Sequence, residues 1–219
     1  DPLAFSSATP NDFDSRELWA LARINAPSAW EVNTGSNTVV VAIIDSGLSR
    51  QHPDLSSNVW QNPAELANGL DDDSNGLVDD LYGWDFAGND NDPADQESHG
   101  THVAGIIGAT GNNGVGVTGV NWRVRLMGLR TGDQSLSTSA VIQATDYATG
   151  QKLKGVPVVV INNSYTSTSF DTLQRDSIQR ARDADILFVA ASGNDARSLD
   201  QSGLLYPIGY AVSNLVGVA

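Results

Sequence analysis

The chain has 219 residues, 40% of them hydrophobic and 17% charged, a composition that suits one folded domain with a substantial core and does not suit a disordered chain. The formal net charge of −14 disfavours binding to nucleic acid and to anionic membranes, and no apolar run approaches the roughly 20 residues of a membrane-spanning helix. Because the chain has no cysteine, disulfides, thiolate catalysis and sulfur-ligated metals are excluded.

The first part of the chain predicts an arm, short helices, a strand and a long loop. Residues 1–14 are polar and are expected to form a surface arm, and short helical patterns follow up to residue 30, interrupted at Pro27. The β-branched run at residues 38–44 is typical of a strand buried on both faces of a parallel sheet. Residues 46–97 are rich in Asn, Asp, Gly and Pro, and so long a loop inside a compact domain is normally functional.

The rest of the chain alternates between helix and strand patterns. Helices are predicted over residues 99–109 and 137–152 and from a cap at Asp171 to residue 184, and strands over residues 122–129, 156–161, 186–190 and 214–218. This alternation predicts an α/β fold, with a doubly wound, mostly parallel sheet and helices on both faces. Since neither a repeat nor a linker indicates a second domain, residues 1–219 are assigned to one domain.

Three polar residues stand where strands end or a helix begins. Asp45 ends the first strong strand, His99 opens the helix after the long loop, and Asn194 follows the third strand. Because ligand sites of parallel sheets form at the carboxyl ends of the strands, these residues are expected to share one edge of the sheet. Taken singly, Asp45 and Asn194 are more often turn or capping residues, so the prediction depends on all three.

These residues, together with the segments VAIIDSGLSRQHPDL, SHGTHVAG, GNNGVGVTG and AASGND, resemble the subtilisin-like serine proteases, and thermitase-type members most closely. The resemblance covers almost the whole chain and implies a subtilisin-like fold. It implies that Asp45 orients His99, that His99 acts as general base and then general acid, and that the Asn194 amide donates to the oxyanion. His102, one helical turn further on, is interpreted as structural.

The nucleophile implied by the resemblance is absent from the 219 residues. Its serine lies in a Gly-Thr-Ser-Met-Ala type of segment beyond the oxyanion asparagine, and this sequence holds no such segment. We therefore expect an N-terminal portion of a nicked, split or processed protease, with the serine and the C-terminal part of the fold on a complementary fragment. The resemblance implies a secreted, calcium-stabilised endopeptidase acting on peptides or proteins. The alternative is a non-catalytic calcium-binding or peptide-binding fragment, a pseudoprotease.

The resemblance also implies a set of residues that face the substrate. Residues 160–164 match the strand that lines the primary pocket, where an extended peptide pairs through its main chain. The family usually continues with Leu-Gly-Gly, so the Tyr and Thr found here change the shape of that pocket. An aspartate near the pocket mouth would favour a basic side chain. The expected substrate-binding residues are Ser164, Tyr165, Thr166, Ser192, Gly193 and Asp195.

The acidic stretch at residues 71–80, inside the 46–97 loop region, has the ligand spacing of a calcium loop. Oxygen-bearing side chains fall at positions 1, 3, 5 and 9 and a glycine at position 6, as in an EF-hand, but Tyr82 replaces the glutamate of position 12. Hard oxygen ligands suit Ca²⁺ rather than zinc. The expected ligands are Asp71, Asp73, Asn75, the carbonyl of Leu77 and Asp79, with Asp80 or another acid completing the shell.

The resemblance implies two further calcium sites, so that two or three are expected in all. The first would pin the N-terminal arm and consists of Asp12, Asp54, Asn113 and the carbonyls of Thr110, Val115 and Val117. The second consists of Asp85, Asp90 and Asp92, with Asp95 available where the family's next ligand is replaced by Ala94. Residues 114–119 fit G-x-G-x-x-G, but they follow a helix and precede a strand, which argues against a nucleotide site.

Overall fold

In the computed structural model of the chain, residues 8–12, 18–194 and 204–218 are described. The strands are β1 (Gly35–Asp45), β2 (Gly83–Asp85), β3 (Arg123–Arg130), β4 (Val158–Asn163), β5 (Leu187–Ala191) and β6 (Leu215–Val218), and the helices are α1 (Trp19–Arg23), α2 (Ala26–Trp30), α3 (His99–Gly108), α4 (Thr138–Leu153) and α5 (Thr172–Asp183). The strands lie in the order β2-β3-β1-β4-β5-β6, and every neighbouring pair is parallel. The predicted doubly wound parallel sheet is confirmed.

Strand β1 separates two hydrophobic cores, which explains its continuous apolar sequence. Val40, Ala42 and Ile44 face a core that includes side chains of α4 and α5. Val41 and Ile43 face the opposite core, which includes side chains of α3 and β3. Because successive strand residues point to opposite faces, only a run without polar residues can fill both cores. Helices therefore pack on both faces, and β1 is fixed in the middle of the sheet.

The structure adds one element and corrects one boundary of the sequence analysis. Strand β2 lies inside the loop that was predicted to be irregular, and its Gly83 pairs with Gly128 of β3 so closely that a Cβ on Gly83 would lie 2.0 Å from the Gly128 carbonyl oxygen. The break between α1 and α2 falls at Asn25, which has a left-handed backbone (φ 57°), and not at Pro27. Pro27 stands in the first turn of α2, where a missing N–H is tolerated.

One half of the α3 face of the sheet carries exposed apolar side chains. Leu187 pairs in register with Val160, whose own partner in β1 is Val41, so Leu187 points to the α3 side. Val216 and Val218 of β6 follow the same alternation, and the exposed fractions of these three residues are 41%, 43% and 52%. In the described part of the chain, this half-face of β5 and β6 is thus open to solvent. No described helix is long and apolar enough to span a membrane.

Candidate active site

The structure brings Asp45 and His99 into contact at the carboxyl edge of the sheet. Asp45 ends β1, is 3% exposed, and has its Oδ1 2.7 Å from Nδ1 of His99, the first residue of α3. The main-chain N–H of Ser46 donates to the same carboxylate oxygen at 2.8 Å. The imidazole side chain is 57% exposed, so it is open to an incoming group. With Nδ1–H donating to Asp45, Nε2 is left as the basic ring nitrogen.

Small residues let the start of α3 pack tightly against the end of β1. A Cβ on Gly100 would lie 2.2 Å from the carbonyl oxygen of Gly47 and 3.1 Å from Cβ of Asp45, so any larger residue would push His99 away from Asp45. The Gly100 N–H also donates to Oγ of Ser46 at 2.9 Å. Gly100 therefore lets α3 approach β1 closely enough for His99 to contact Asp45.

Asp95 fixes the start of α3, a role that the sequence analysis missed. Its Oδ1 accepts the Ser46 hydroxyl at 2.9 Å and the Ser98 N–H at 2.9 Å, and its Oδ2 accepts the Thr101 N–H at 2.8 Å. Burial opposes the ionisation of Asp95, but these hydrogen bonds, together with one from the Glu97 N–H, lower its pKa. A residue four positions before the helix is not at the usual capping position, so the sequence offered no signal for this role. The predicted use of Asp95 as a substitute metal ligand stays a prediction.

The third predicted catalytic residue, Asn194, lies at the same edge, three residues beyond the end of β5. It is exposed, and strand β4 separates β5 from β1 in the sheet. The structure therefore joins Asp45 with His99 directly and leaves Asn194 on the same rim, two strands away. Asp195 lies outside the described residues, so its predicted place at the pocket mouth stays a prediction.

The predicted substrate-binding residues fall on two facing segments, one after β4 and one after β5. A Cβ on Gly193 would lie 3.6 Å from Cγ2 of Thr166 and 3.2 Å from Cδ1 of Leu205, a buried residue that the sequence analysis did not consider. The Ser192 N–H donates to the Val218 carbonyl at 2.8 Å, and Oγ of Ser164 accepts the side-chain amide of Asn162 at 3.0 Å. Leu205 and Thr166 thus narrow the space between the two segments.

The side chain of Tyr165 is directed into the protein and not towards the cleft. It packs against the core on the α5 side, and its hydroxyl accepts the Gln174 side-chain amide at 2.9 Å. Burial raises the pKa of Tyr165 far above the usual value for tyrosine. Only its main chain is therefore available to a substrate, which narrows the predicted role of this residue. The neighbouring Asn163 is 1% exposed, and among the described residues neither polar atom of its side chain has a hydrogen-bond partner.

The residues predicted to pin the N-terminal arm come together around one loop. Oδ1 of Asp12 accepts the N–H groups of Asn113 and Gly114, each at 2.8 Å, and Asp54 accepts the Asn113 side-chain amide at 2.9 Å and the Val117 N–H at 2.8 Å. A Cβ on Gly116 would lie 2.5 Å from Oδ2 of Asp54, so glycine keeps this hollow open. The carbonyls of Thr110, Val115 and Val117 belong to the same loop. The gathered oxygens suit a hard cation such as Ca²⁺.

The residues of the second predicted calcium site contact protein cations and main-chain N–H groups. Asp85 pairs with the buried guanidinium of Arg130, which also contacts Asp133 at 2.6 Å. Oδ1 of Asp85 accepts two main-chain N–H groups. Asp92 pairs with Arg50 at 3.3 Å, and Oδ1 of Asp90 accepts the Asp92 N–H. Burial alone would lower the pKa of Arg130, but Asp133 and Asp85 outweigh it and raise the pKa. Arg130 and Arg50 thus offset part of the negative charge of this cluster, and calcium binding by it stays a prediction.

The acidic loop forms only part of the predicted ligand set. Asp71 and Asp73 lie together, and Glu65, which the sequence analysis did not name, joins them, with one carboxylate oxygen of each within 4.8 Å of the others. Asp79 is engaged elsewhere, since its carboxylate accepts the N–H groups of residues 68 and 69. Oδ1 of Asn75 accepts the Leu77 N–H, and its amide donates to Asp80 at 2.8 Å. The EF-hand spacing therefore located the cluster and two of its three members, Asp71 and Asp73.

The known proteins to which this chain is similar are proteases. A protein from Plasmodium berghei named subtilisin-like protease 1 is 35% identical over 190 residues, 84% of this chain and 31% of that protein. Thermitase from Thermoactinomyces vulgaris is 32% identical over 215 residues, 96% of this chain and 65% of that protein. The solved structure of the S41 psychrophilic protease superposes with a TM-score of 0.71 at 29% identity, covering 99% of this chain and 61% of that one. The chain spans less than two thirds of the length of these relatives. Because the model of the subtilase family matches residues 36–218, which include both Asp45 and His99, this chain belongs to the subtilase family of serine proteases.

Proposed function

We propose that this chain supplies Asp45, His99 and Asn194 to a serine endopeptidase, and that a complementary C-terminal fragment supplies the nucleophilic serine. The observation that carries the proposal is the 2.7 Å contact between Asp45 Oδ1 and His99 Nδ1 at the carboxyl edge of a parallel sheet. An imidazole held by a buried carboxylate on one side and exposed on the other is arranged to accept a proton from a hydroxyl nucleophile. The substrates are peptides or proteins.

In the proposed reaction, His99 Nε2 takes the proton of the serine hydroxyl while the serine oxygen attacks the scissile carbonyl carbon. Asp45 keeps Nδ1 protonated and stabilises the imidazolium ion that forms. The imidazolium then gives its proton to the leaving amine, the acyl-enzyme remains, and a water activated by the same imidazole releases the acid product. The side-chain amide of Asn194 donates to the oxyanion, a contribution of about 3 kcal/mol in proteases of this kind.

The open half-face of β5 and β6 supports a complementary fragment that packs on this chain. Leu187, Val216 and Val218 line it, beside α3, which carries His99. Apolar side chains left exposed on a sheet face are stabilised when another apolar element covers them. A serine-bearing segment that packs there would bring its serine to the rim that holds His99.

A serine-directed fluorophosphonate probe tests the proposed activity on the protein as isolated. We expect the label on a polypeptide other than residues 1–219 of this chain, and no label when His99 is replaced by alanine, because the serine is then not activated. His102→Ala is the matched control and is expected to keep the label, provided that its circular dichroism is unchanged. A preparation of a single 23.1 kDa species that takes no label and cleaves no casein would contradict the activity and favour the pseudoprotease.

Calcium binding and an extracellular location are the remaining parts of the proposal. The arm site would be held by Asp12, Asp54 and Asn113, and an ion there would fasten the N-terminal arm to the loop at residues 112–118. The acidic loop would hold a further ion. Sites built from surface loops bind Ca²⁺ weakly enough to need the high calcium concentrations found outside cells. The family relationship and these loops together favour a secreted enzyme.

The narrow space beside Gly193 leads us to infer that the primary pocket accepts small side chains. Leu205 is 93% buried (7% exposed) and lies with Thr166 against Gly193, where a large substrate side chain would have to enter. Replacing Leu205 by glycine is expected to raise kcat/KM for a phenylalanyl substrate, relative to an alanyl one, by about 10-fold or more, because a few methylenes in a pocket change discrimination by that order.

Paired p-nitroanilide peptides that differ only in the residue before the scissile bond measure this ratio in the enzyme completed by its serine-bearing fragment. Leu204, which is 55% exposed, offers the matched control, and Leu204→Gly is expected to leave the ratio unchanged. Equal kcat/KM values for the phenylalanyl and alanyl substrates in the unaltered enzyme would contradict the inference of a small pocket. The proposed catalytic mechanism would not be affected by that result.

A further inference from the structure

Glu65 is a buried carboxylate with one oxygen that has no partner. The residue is 4% exposed, and its Oε1 accepts the main-chain N–H of Asp73 at 3.0 Å. Its Oε2 is buried and has no hydrogen-bond partner within the described residues. Leaving an ionised oxygen buried and unpaired costs several kcal/mol, so a buried carboxylate is normally paired with a cation or binds a metal. A cation or a proton at this oxygen would remove that cost.

The surroundings of Glu65 hold more negative than positive charge. Ligand oxygens of Glu65, Asp71 and Asp73 lie within 4.8 Å of one another. Asp80, which is fully buried, accepts the side-chain amide of Asn62, and that amide also donates to Asp73. The cation that reaches the group is Lys154, whose Nζ is 3.1 Å from Asp73 Oδ1 and lies partly exposed. One ammonium group against four ionised carboxylates leaves three net negative charges, and a divalent cation would offset two of them.

We propose that Glu65 is a Ca²⁺ ligand that completes, with Asp71 and Asp73, a site built from two separate segments of the loop. This inference rests on the calcium-binding part of the proposed function. Three convergent carboxylates and no sulfur or imidazole ligand favour a hard cation, and flexible loop carboxylates of this kind suit Ca²⁺ better than Mg²⁺, which demands strict octahedral geometry.

The proposed site uses a different set of residues from an EF-hand. In an EF-hand, a glutamate at position 12 supplies two oxygens, whereas here Glu65 stands six residues before position 1 and enters from the other side. Asp79, at position 9 of the pattern, is not part of the group, because the carboxylates whose ligand oxygens lie within 4.8 Å of one another are those of Glu65, Asp71 and Asp73. Bound Ca²⁺ would thus cross-link residue 65 to residues 71–73, beside Lys154 at the end of helix α4.

The experiment counts bound ions and needs no enzyme activity. Calcium is titrated by isothermal calorimetry into the chelator-treated protein as isolated, for the unaltered chain, for Glu65→Gln and for the matched control Asp79→Asn. We expect Glu65→Gln to lose one bound ion, or to weaken its Kd at least tenfold, and to show a smaller rise of Tm on calcium addition. We expect Asp79→Asn to keep the full number of ions. Tb³⁺ luminescence excited through nearby tryptophan gives an independent count.

A second substitution keeps the test decisive if Glu65→Gln does not fold without calcium. Glu65→Asp keeps the charge but withdraws the carboxylate by one methylene, and it is expected to weaken the same ion by a similar factor. An unchanged ion count and Kd in both Glu65 variants would overturn the proposal and make Glu65 a protonated buried acid. If the unaltered protein binds no calcium at all, all of the proposed calcium sites are contradicted. The proposed peptidase activity is tested separately, by labelling with the fluorophosphonate probe.

Discussion

Replacing Asp45 by asparagine is expected to lower kcat/KM of the completed enzyme by about 10⁴-fold, the loss seen when the carboxylate of such a triad becomes an amide. An amide at residue 45 can donate to Nδ1 of His99, which moves the imidazole proton to Nε2. In that tautomer Nε2 can no longer accept the serine proton. The side chain keeps its size, so the fold is expected to persist, while the Ser46 N–H loses its acceptor because it donates to the same Oδ1 that contacts His99.

Two measurements separate this tautomer effect from a loss of structure. Steady-state hydrolysis of a peptide substrate gives the rate loss, and ¹⁵N NMR of the imidazole identifies which ring nitrogen carries the proton. Asp171→Asn is the matched control, because Asp171 caps α5 through the Gln174 N–H and asparagine caps a helix equally well. A loss below tenfold in Asp45→Asn, with Nδ1 still protonated, would contradict the assigned role of Asp45.

Replacing Arg130 by methionine is expected to lower the free energy of unfolding by about 3–5 kcal/mol, because it leaves the buried carboxylate of Asp85 without its cation. Arg130 is 7% exposed and Asp85 is 4% exposed, so water cannot replace the lost partner. The double variant Arg130→Met/Asp85→Leu is expected to recover much of the loss, since an apolar pair can fill the same space. Urea unfolding monitored by tryptophan fluorescence measures all three proteins.

The exposed ion pair of Arg180 and Asp146 is the control for the buried pair of Arg130 and Asp85. Arg180 and Asp146 make two hydrogen bonds of 2.8 Å, but their side chains are 51% and 40% exposed. Arg180→Met is therefore expected to cost less than about 1 kcal/mol. If Arg130→Met costs no more than Arg180→Met, then Asp85 has another cation, and Ca²⁺ at the second predicted site becomes the better account.

Structural features that depend on residues close together in the sequence were predictable. The run at residues 38–44 identified the central strand because only a strand between two cores is apolar at every position. Asp45 and His99 could be paired, although 54 residues apart, because a strand end and the start of a helix meet at one edge of a parallel sheet. Strand β2 was missed because three residues inside a polar loop carry no periodicity, and it exists through its pairing with Gly128.

Features that depend on distant partners were not predictable. The acidic spacing correctly located oxygen-rich loops, but it does not say which carboxylates a protein cation already holds. Asp85 has its partner 45 residues later, in Arg130, and no local pattern predicts this pairing. Glu65 joins Asp71 and Asp73 from outside the EF-hand pattern, so no motif contains it. Leu205 likewise reaches Gly193 from a later segment, and its effect on the pocket is visible only in the fold.

The Asp95 carboxylate isolates the catalytic pair from most of the loop before it. Ser46 follows Asp45 and Ser98 precedes His99, and both donate to Asp95, so the two ends of the loop between β1 and α3 meet at one side chain. The segment in between, which includes the acidic loop, has an anchor of its own in the pairing of β2 with β3. Insertions, deletions or changes of metal affinity within this segment can therefore accumulate during evolution without displacing the imidazole. Such a loop is a suitable place to graft new stabilising or recognition elements onto the enzyme.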